Sequence, residues 1–512
     1  MYRVTGRSLR GFAKDAKGNV AILFGIALIP LLIGVGAAVD YGRALIVRDR
    51  MADAADSAAL AIGSWPGLTQ AELTTKAQQF FNANYPPSTI GTVGTLNVSF
   101  AGDDITVTVS GQVPTTFMKL ANIATVNVGA TSTVTKKQRS IELALVLDTT
   151  GSMGSGGKLT AMQSAAKKMV STLFNGKATS DSLKIGVVPF SVAVNIGSDK
   201  LTSGWLDTAT YSSSNLSTHP LAFEDLDKTN GVSVITLYSK IGKSWSGCVR
   251  ERGGAYELTD DVPTSGTPAT LFVPYFAPDE PDSASGTIYN NTYLSDGSYS
   301  SANCVKGTTD SDKRQCNTAK YKSFSSSSSG PYYNCPPAKV TPLTNTASTV
   351  NTAIDALAAN GNTVIPAGLL WGWRMLSPTV PFTEGAAYTD EKWVKAMVLL
   401  TDGENDVSQG GNGIDKSAYN AFGYAKNGHL GNTSGSNANA TLDSKTLTVC
   451  SAIKAKGILL YTIGFQVTSA SQTLLTSCAS KPEMFYNSPT NDQLAGIFQD
   501  IAQGLGDLRI AQ

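Results

Sequence analysis

The stretch Glu142 to Met153, ELALVLDTTGSM, is the one on which the reading of the whole chain turns. From Ile141 to Leu147 it is an almost uninterrupted apolar run, and it ends in Asp148. Such a run suits a central strand of a parallel sheet, covered on both faces. It then breaks into Asp148-Thr149-Thr150-Gly151-Ser152, a carboxylate and two hydroxyls at alternate positions in a tight loop. Helical spacing resumes at once, with Leu159, Met162, Ala166, Met169 and Leu173 on one face. The plain alternative is that Asp148 and Thr150 only cap that helix.

A strand, a loop of hard oxygen ligands and a helix together resemble the opening unit of a von Willebrand factor type A domain. In that family, Asp-x-Ser-x-Ser supplies three ligands of the metal-ion-dependent adhesion site; here Thr150 takes the middle place and keeps the hydroxyl. Gly361-Asn362-Thr363 resembles the family's second loop, and Asp402-Gly403-Glu404-Asn405, after the apolar run Val394 to Thr401, resembles the third. The resemblance implies a doubly wound, mostly parallel α/β fold and a metal site of Asp148, Thr150, Ser152, Thr363 and Asp402. Elementary chemistry agrees, because ligands bind beyond the carboxyl ends of strands in open parallel sheets. Two carboxylates and three hydroxyls suit a hard, octahedral cation such as Mg²⁺, with Mn²⁺ as the alternative, and leave a position for a partner's oxygen.

With 512 residues there is room for roughly two to four domains. The net charge of +1 and a charged fraction of 15 % suggest no nucleic-acid partner. The two histidines, His219 and His429, are too few for a typical zinc hydrolase site and read as surface residues. Six dispersed cysteines form no CxxC pair and read as disulfides of an oxidising compartment. Resemblance to related domains, with proximity, implies Cys450 with Cys478. The other four, Cys248, Cys304, Cys316 and Cys335, fall in one insertion and are expected to pair among themselves.

The N-terminus is basic, and Gly18 to Val39 carries no charge. At ~1.5 Å per residue that run can cross a hydrocarbon core of roughly 30 Å. Positive residues stay inside, so the N-terminus is expected in the cytoplasm and the bulk outside. A cleaved signal peptide is the rival reading, but no convincing small-x-small site is present. Gly18-Asn19-Val20-Ala21-Ile22, Ala37-Ala38-Val39-Asp40-Tyr41 and the Ala/Asp-rich helix from Met51 to Ala61 resemble the N-terminus of TadG-like proteins of the bacterial tight-adherence (Flp) pilus assembly system. That resemblance implies a single-pass protein of the inner membrane with pilus components or pilin subunits as partners. One departure is Leu23, five residues after Gly18, where pseudopilins of the system carry a glutamate; this favours an uncleaved anchor.

The expected divisions are a basic tail (1–17), a transmembrane helix (18–39), its helical continuation (40–63), a small strand-rich stalk module (64–138) and the type A domain (139–512). In the stalk module, Leu96, Val98 and Phe100 alternate with polar residues, as do Ile105, Val107 and Val109 across a Gly-Asp-Asp turn, predicting a hairpin. The type A domain is interrupted by insertions at about 191–343 and 405–440. Asp279-Glu280-Pro281-Asp282 reads as a solvated loop, Ser325 to Ser329 as a low-complexity tract, and Tyr419 to Leu430 as a segment beside the metal that could shape recognition.

The leading function is a membrane-anchored, non-enzymatic pilus-assembly and adherence component whose metal site grips an acidic residue of a protein partner. The alternatives are a structural stalk with a non-recognition metal, and a metal-dependent hydrolase. The hydrolase is disfavoured because the ligand set offers no general base or second bridging carboxylate.

Overall fold

A computed structural model describes residues 19–63, 69–86, 91–101, 104–135, 139–210, 219, 233–280, 290–295, 321–322, 329–408, 415–431 and 435–508. The chain divides into a unit within Met1–Gln138 and another within Arg139–Arg509.

In the first unit, helix α1 (Asn19–Gly63) runs without a break through Pro30 and across the point where the apolar run ends. From Val20 to Val35 every residue but the half-buried Ile33 is exposed, and a buried stripe then begins at Gly36 and continues through Asp40, Ala44, Val47, Met51, Ala55 and Ala58. These positions recur every three or four residues, so one face packs and the other stays open. Helix α2 (Gln70–Asn84) starts at a capping box in which Thr69 and Glu72 satisfy each other's backbone amides. It buries Leu73, Ala77 and Phe81. Strands β1 (Thr92–Ala101), β2 (Asp104–Pro114) and β3 (Thr125–Thr135) form an antiparallel sheet in that order. Phe100 pairs with Ile105 and Val98 with Val107, the register the alternation predicts. Ile105, Val107, Val109 and Val113 point into the core shared with α1 and α2.

The second unit is built on strand β4 (Ser140–Asp148), every residue of which is buried. Helix α3 (Lys158–Leu173) and strand β5 (Leu183–Phe190) follow. Short strands β6 (Val194–Asn195) and β7 (Cys248–Val249), with helix α4 (Val234–Lys240) between them, lie in the first insertion. The chain then returns through β8 (Thr341–Thr344), α5 (Ala347–Asp355), α6 (Ile365–Leu376) and β9 (Trp393–Thr401). It ends with α7 (Gly435–Ala455), β10 (Leu459–Phe465), α8 (Ser469–Cys478), β11 (Phe485–Ser488) and α9 (Asn491–Leu508). The sheet order is β11-β10-β9-β4-β5-β6-β7, with β8 antiparallel on β5. The five long-range partners β11, β10, β9, β4 and β5 are parallel.

Alternate residues of β4 feed two cores. Leu143, Leu145 and Leu147 face α3, α5 and α9, whereas Ala144 and Val146 face α6 and the insertions. That double burial explains why the strand reads as continuous apolar sequence rather than as an alternation. Its mid-strand acid, Glu142, is buried between Lys395 at 2.5 Å and Lys184 at 3.1 Å, and it also accepts the Ala386 amide. A buried carboxylate is tolerable on those terms.

The described parts of the insertions are packed, not loose. Phe272, Tyr275 and Phe276 are buried, and Phe272 packs at a tilt against Trp371 of α6 with ring centroids 4.9 Å apart. Cys248 is bonded to Cys335 and Cys450 to Cys478; Cys304 and Cys316 lie outside the described residues. Asp279 and Glu280 correct the expectation of a solvated loop. Both are buried, with Asp279 accepting the amides of Tyr293 and Leu294 and Glu280 those of Asn290 and Asn291. Pro281, Asp282 and residues 325–328 are outside the described residues. His219 is also no open surface residue, since its ring bonds Asp207 at 2.6 Å.

Candidate metal centre at the carboxyl ends of the strands

β4 delivers Asp148 at its last residue because the apolar run stops there, and β9 delivers Asp402 one residue past its end. Adjacent parallel strands in register, with Leu147 opposite Leu400, bring the two loops side by side. Both acids are buried. Asp148 accepts the Thr150 amide on one oxygen (2.8 Å) and the Thr401 hydroxyl on the other (2.6 Å). The Thr150 and Ser152 hydroxyls are 2.9 Å apart, and Ser152 donates to Asp402 at 2.6 Å. Asp148, Thr150, Ser152 and Asp402 therefore form one continuous polar chain.

The second loop joins it through the backbone. The Gly151 amide donates to the Gly361 carbonyl (2.8 Å), and the Asn360 amide to the Thr149 carbonyl (2.7 Å). Gly361 holds φ +78° with a Cβ position only 2.9 Å from the Asn334 carbonyl, so a side chain there meets both strain and a clash. Thr363 is buried and follows two residues later; a methyl group placed on Gly403 would lie 3.6 Å from its hydroxyl oxygen. Thr363 thus lies beside the third loop, and all five expected residues gather at one end of the sheet.

Two residues of the site had no assigned role at the level of sequence. Lys158, the first residue of α3, donates to the second oxygen of Asp402 at 2.8 Å. Its only sequence clue is a basic residue at the start of a helix, where the macrodipole disfavours it. Asn405 accepts the Ile365 amide at the start of α6 (2.8 Å) and donates to Asp443 (2.8 Å), tying the third loop to the helix after the second. By contrast, Tyr419, Phe422, Tyr424 and Leu430 are buried in the core with Trp371 and Tyr275, not presented at the site. The aromatic part of the segment expected to shape recognition is thus core, whereas Lys426 to His429 remain partly or fully exposed.

The donor set fits a hard cation. Lys158 pairs with Asp402, but among the described residues no cation pairs with Asp148. Burial, and then the neighbouring Asp402 charge, push the Asp148 carboxyl up to about 6. A buried carboxylate that is costly to ionise, set beside a second buried carboxylate with hydroxyls between them, is what a divalent ion relieves. Among the described residues there is no cluster of three His, Cys, Asp or Glu side chains able to hold a metal, so the hydroxyls are indispensable to any such site.

Strand order, crossover helices and site together define a doubly wound, mostly parallel α/β unit, in a chain that also carries one N-terminal helix long and apolar enough to cross a membrane. Residues 18–63 match the family model of the Flp pilus-assembly TadE/G-like proteins. No curated protein matches the chain. Among solved structures, the chain is similar to the pilus adhesin SpaC of Lactobacillus rhamnosus GG in its open conformation, with 11 % identity and TM-score 0.33 over 82 % of this chain and 34 % of that one. It is also similar to the vWF domain of the type V pili tip protein Mfa5 of Porphyromonas gingivalis (10 %, 0.33, covering 73 % and 97 %). A third likeness is to proximal thread matrix protein 1 of the mussel byssus with a zinc-occupied MIDAS motif (12 %, 0.29, covering 72 % and 46 %). The chain spans about a third of SpaC and about half of the byssus protein.

Proposed function

We propose that this protein is a membrane-anchored component of the Flp pilus assembly and adherence machinery that binds a protein partner through a divalent cation. Asp148, Thr150, Ser152, Thr363 and Asp402 would hold the ion, Mg²⁺ in the first instance and Mn²⁺ as the alternative. When bound, the ion supplies a Lewis-acidic position for an acidic residue of the partner, a pilus component or pilin subunit. The chain's own groups orient the hydroxyls and exclude bulk water. The observation that carries this reading is the buried pair Asp148 and Asp402, of which Asp148 has, among the described residues, no cationic side chain paired with it.

Residues 18–39 serve as the anchor in the bacterial inner membrane, with 1–17 cytoplasmic and the bulk of the chain outside; 40–63 extend the helix, 64–138 act as a stalk, and 139–512 carry the binding site. Support for the anchor is a helix apolar and long enough to cross a membrane, exposed over Val20 to Val35 but for the half-buried Ile33. A second reading, a stalk whose site only locks the loops, draws on the Lys158–Asp402 ion pair, which already ties α3 to the third loop.

The test is isothermal titration of Mg²⁺ into the detergent-solubilised full chain and its Asp148→Ala variant. One-site saturable binding, abolished in the variant, is the expected result, together with loss of piliation or surface attachment in cells carrying Asp148→Ala. Absence of binding in the parent chain, or binding with wild-type piliation and attachment in the variant, would overturn the proposal in favour of the stalk.

A further inference from the structure

We infer that the segment Thr115–Ile123 of the first unit is a lipid-seated loop, a second membrane contact alongside α1. The inference rests on the reading of the bare apolar part of α1 as the anchor. Outside α1, the large apolar side chains left exposed in the described part of this unit are Phe117 (42 %), Leu120 (75 %) and Ile123 (43 %), and all three fall in this one segment. Elsewhere the unit puts Thr and Ser outward and its apolar residues inward, as on β2. Three outward apolar residues within seven positions are therefore a patch, not scatter.

The loop is held against α1 at a defined height. Asp40, the first charged residue after the apolar run, is buried and accepts the backbone amides of Thr116 (3.0 Å), Phe117 (2.8 Å) and Met118 (2.8 Å). Arg43 adds a bond to the Thr116 hydroxyl at 2.9 Å. A single turn of 3₁₀ helix, Met118–Ala121, then presents Leu120 outward, and Asn122 at φ 64° turns the chain back. Phe117 packs on Gly36, where a Cβ would lie 2.2 Å from its own Cβ, so only glycine admits it. Gly36 is one helical turn, about 6 Å, back from Asp40 along the helix, within the uncharged run.

The loop therefore reaches the last turn of the apolar segment from outside it. Its apolar residues continue the bare surface of α1, and Lys119 is exposed beside them. Apolar side chains with a basic neighbour at the end of a spanning helix match the headgroup and acyl boundary of an anionic bilayer. The occupant of the patch is accordingly lipid.

The test uses the full chain in vesicles of phosphatidylethanolamine and phosphatidylglycerol that also contain phosphatidylcholine brominated on its acyl chains. An environment-sensitive dye is attached at Leu120→Cys and, as a comparison, at Thr131→Cys on the exposed face of β3, with the parent chain labelled in parallel as background. The expected result is quenching by brominated lipid and shielding from aqueous iodide at position 120, and the opposite at 131. A dye at 120 that iodide reaches as at 131 would overturn the inference, as would one shielded from iodide without bromine quenching, which would mean a protein partner or a second copy covers the patch. Flotation separates the two readings: a chain that fails to float with the vesicles refutes the anchor itself, whereas one that floats with an unquenched dye at 120 refutes only the loop.

Discussion

Asp148 concentrates the chemistry of the second unit in one carboxyl group. Its pKa rises from 3.8 to about 6, first because it is buried and then because Asp402 stands beside it, despite the bonds from Thr401 and Thr150. Between those two pH values the folded chain holds a proton that the unfolded chain has released, so folding stability must fall as pH rises through the window. In metal-free buffer with a chelator, the loss between pH 4 and pH 6 should amount to about 2 kcal/mol, and Asp148→Asn should flatten the slope. Thermal melting as a function of pH measures it. Mg²⁺ should remove most of the decline, and a melting temperature independent of pH in the chelated parent chain would rule the account out. The hydroxyls were legible from the alternate spacing of the loop, but the Lys158–Asp402 pair was not, since it joins residues far apart in sequence whose approach depends on β4 lying next to β9.

At the scale of elements, α6 illustrates how the site is supported from beneath. It is buried along its whole length and crosses β4 through two glycines. A Cβ on Gly372 would lie 2.5 Å from Val146 Cγ2, and one on Gly368 would lie 2.6 Å from Phe190 Cγ. Val146 is β-branched and stiff, so it cannot swing aside. Gly372→Ala should therefore cost about 1–3 kcal/mol by overpacking, although alanine is the better helix former. Chemical denaturation checks the sign, and a neutral or stabilising result would mean the helix and sheet can part at this crossing. Helix α2 is the element the pattern alone did not reveal. Its buried residues are only Leu73, Ala77 and Phe81 among Gln, Thr and Asn, so periodicity was faint. The available clue was the Thr69-x-x-Glu72 capping box.

For the whole molecule, the division at residues 138 and 139 has a calorimetric consequence. Each unit has its own core, and the candidate metal site draws on the second alone. The solubilised chain should show two transitions, with Mg²⁺ raising only the one belonging to the second unit. At 100 times the dissociation constant the gain is about 2.7 kcal/mol. A chelator should reverse it, and equal shifts in both transitions would contradict separate units.

The apolar runs by themselves determined the membrane-type helix, the buried parallel strands and the hairpin of the first unit, because periodicity records which faces leave water. The order of oxygen-bearing loops, each placed after a strand or helix, marked where a cation would sit. Only the tertiary structure decided what those residues meet: that Asp279 and Glu280 are buried under backbone amides, that Tyr419, Phe422, Tyr424 and Leu430 belong to the core, and that Asp40 clasps the loop at Phe117. Each of these pairs residues distant in sequence, and their cost or benefit depends on burial and hydrogen-bond geometry, which local sequence does not encode.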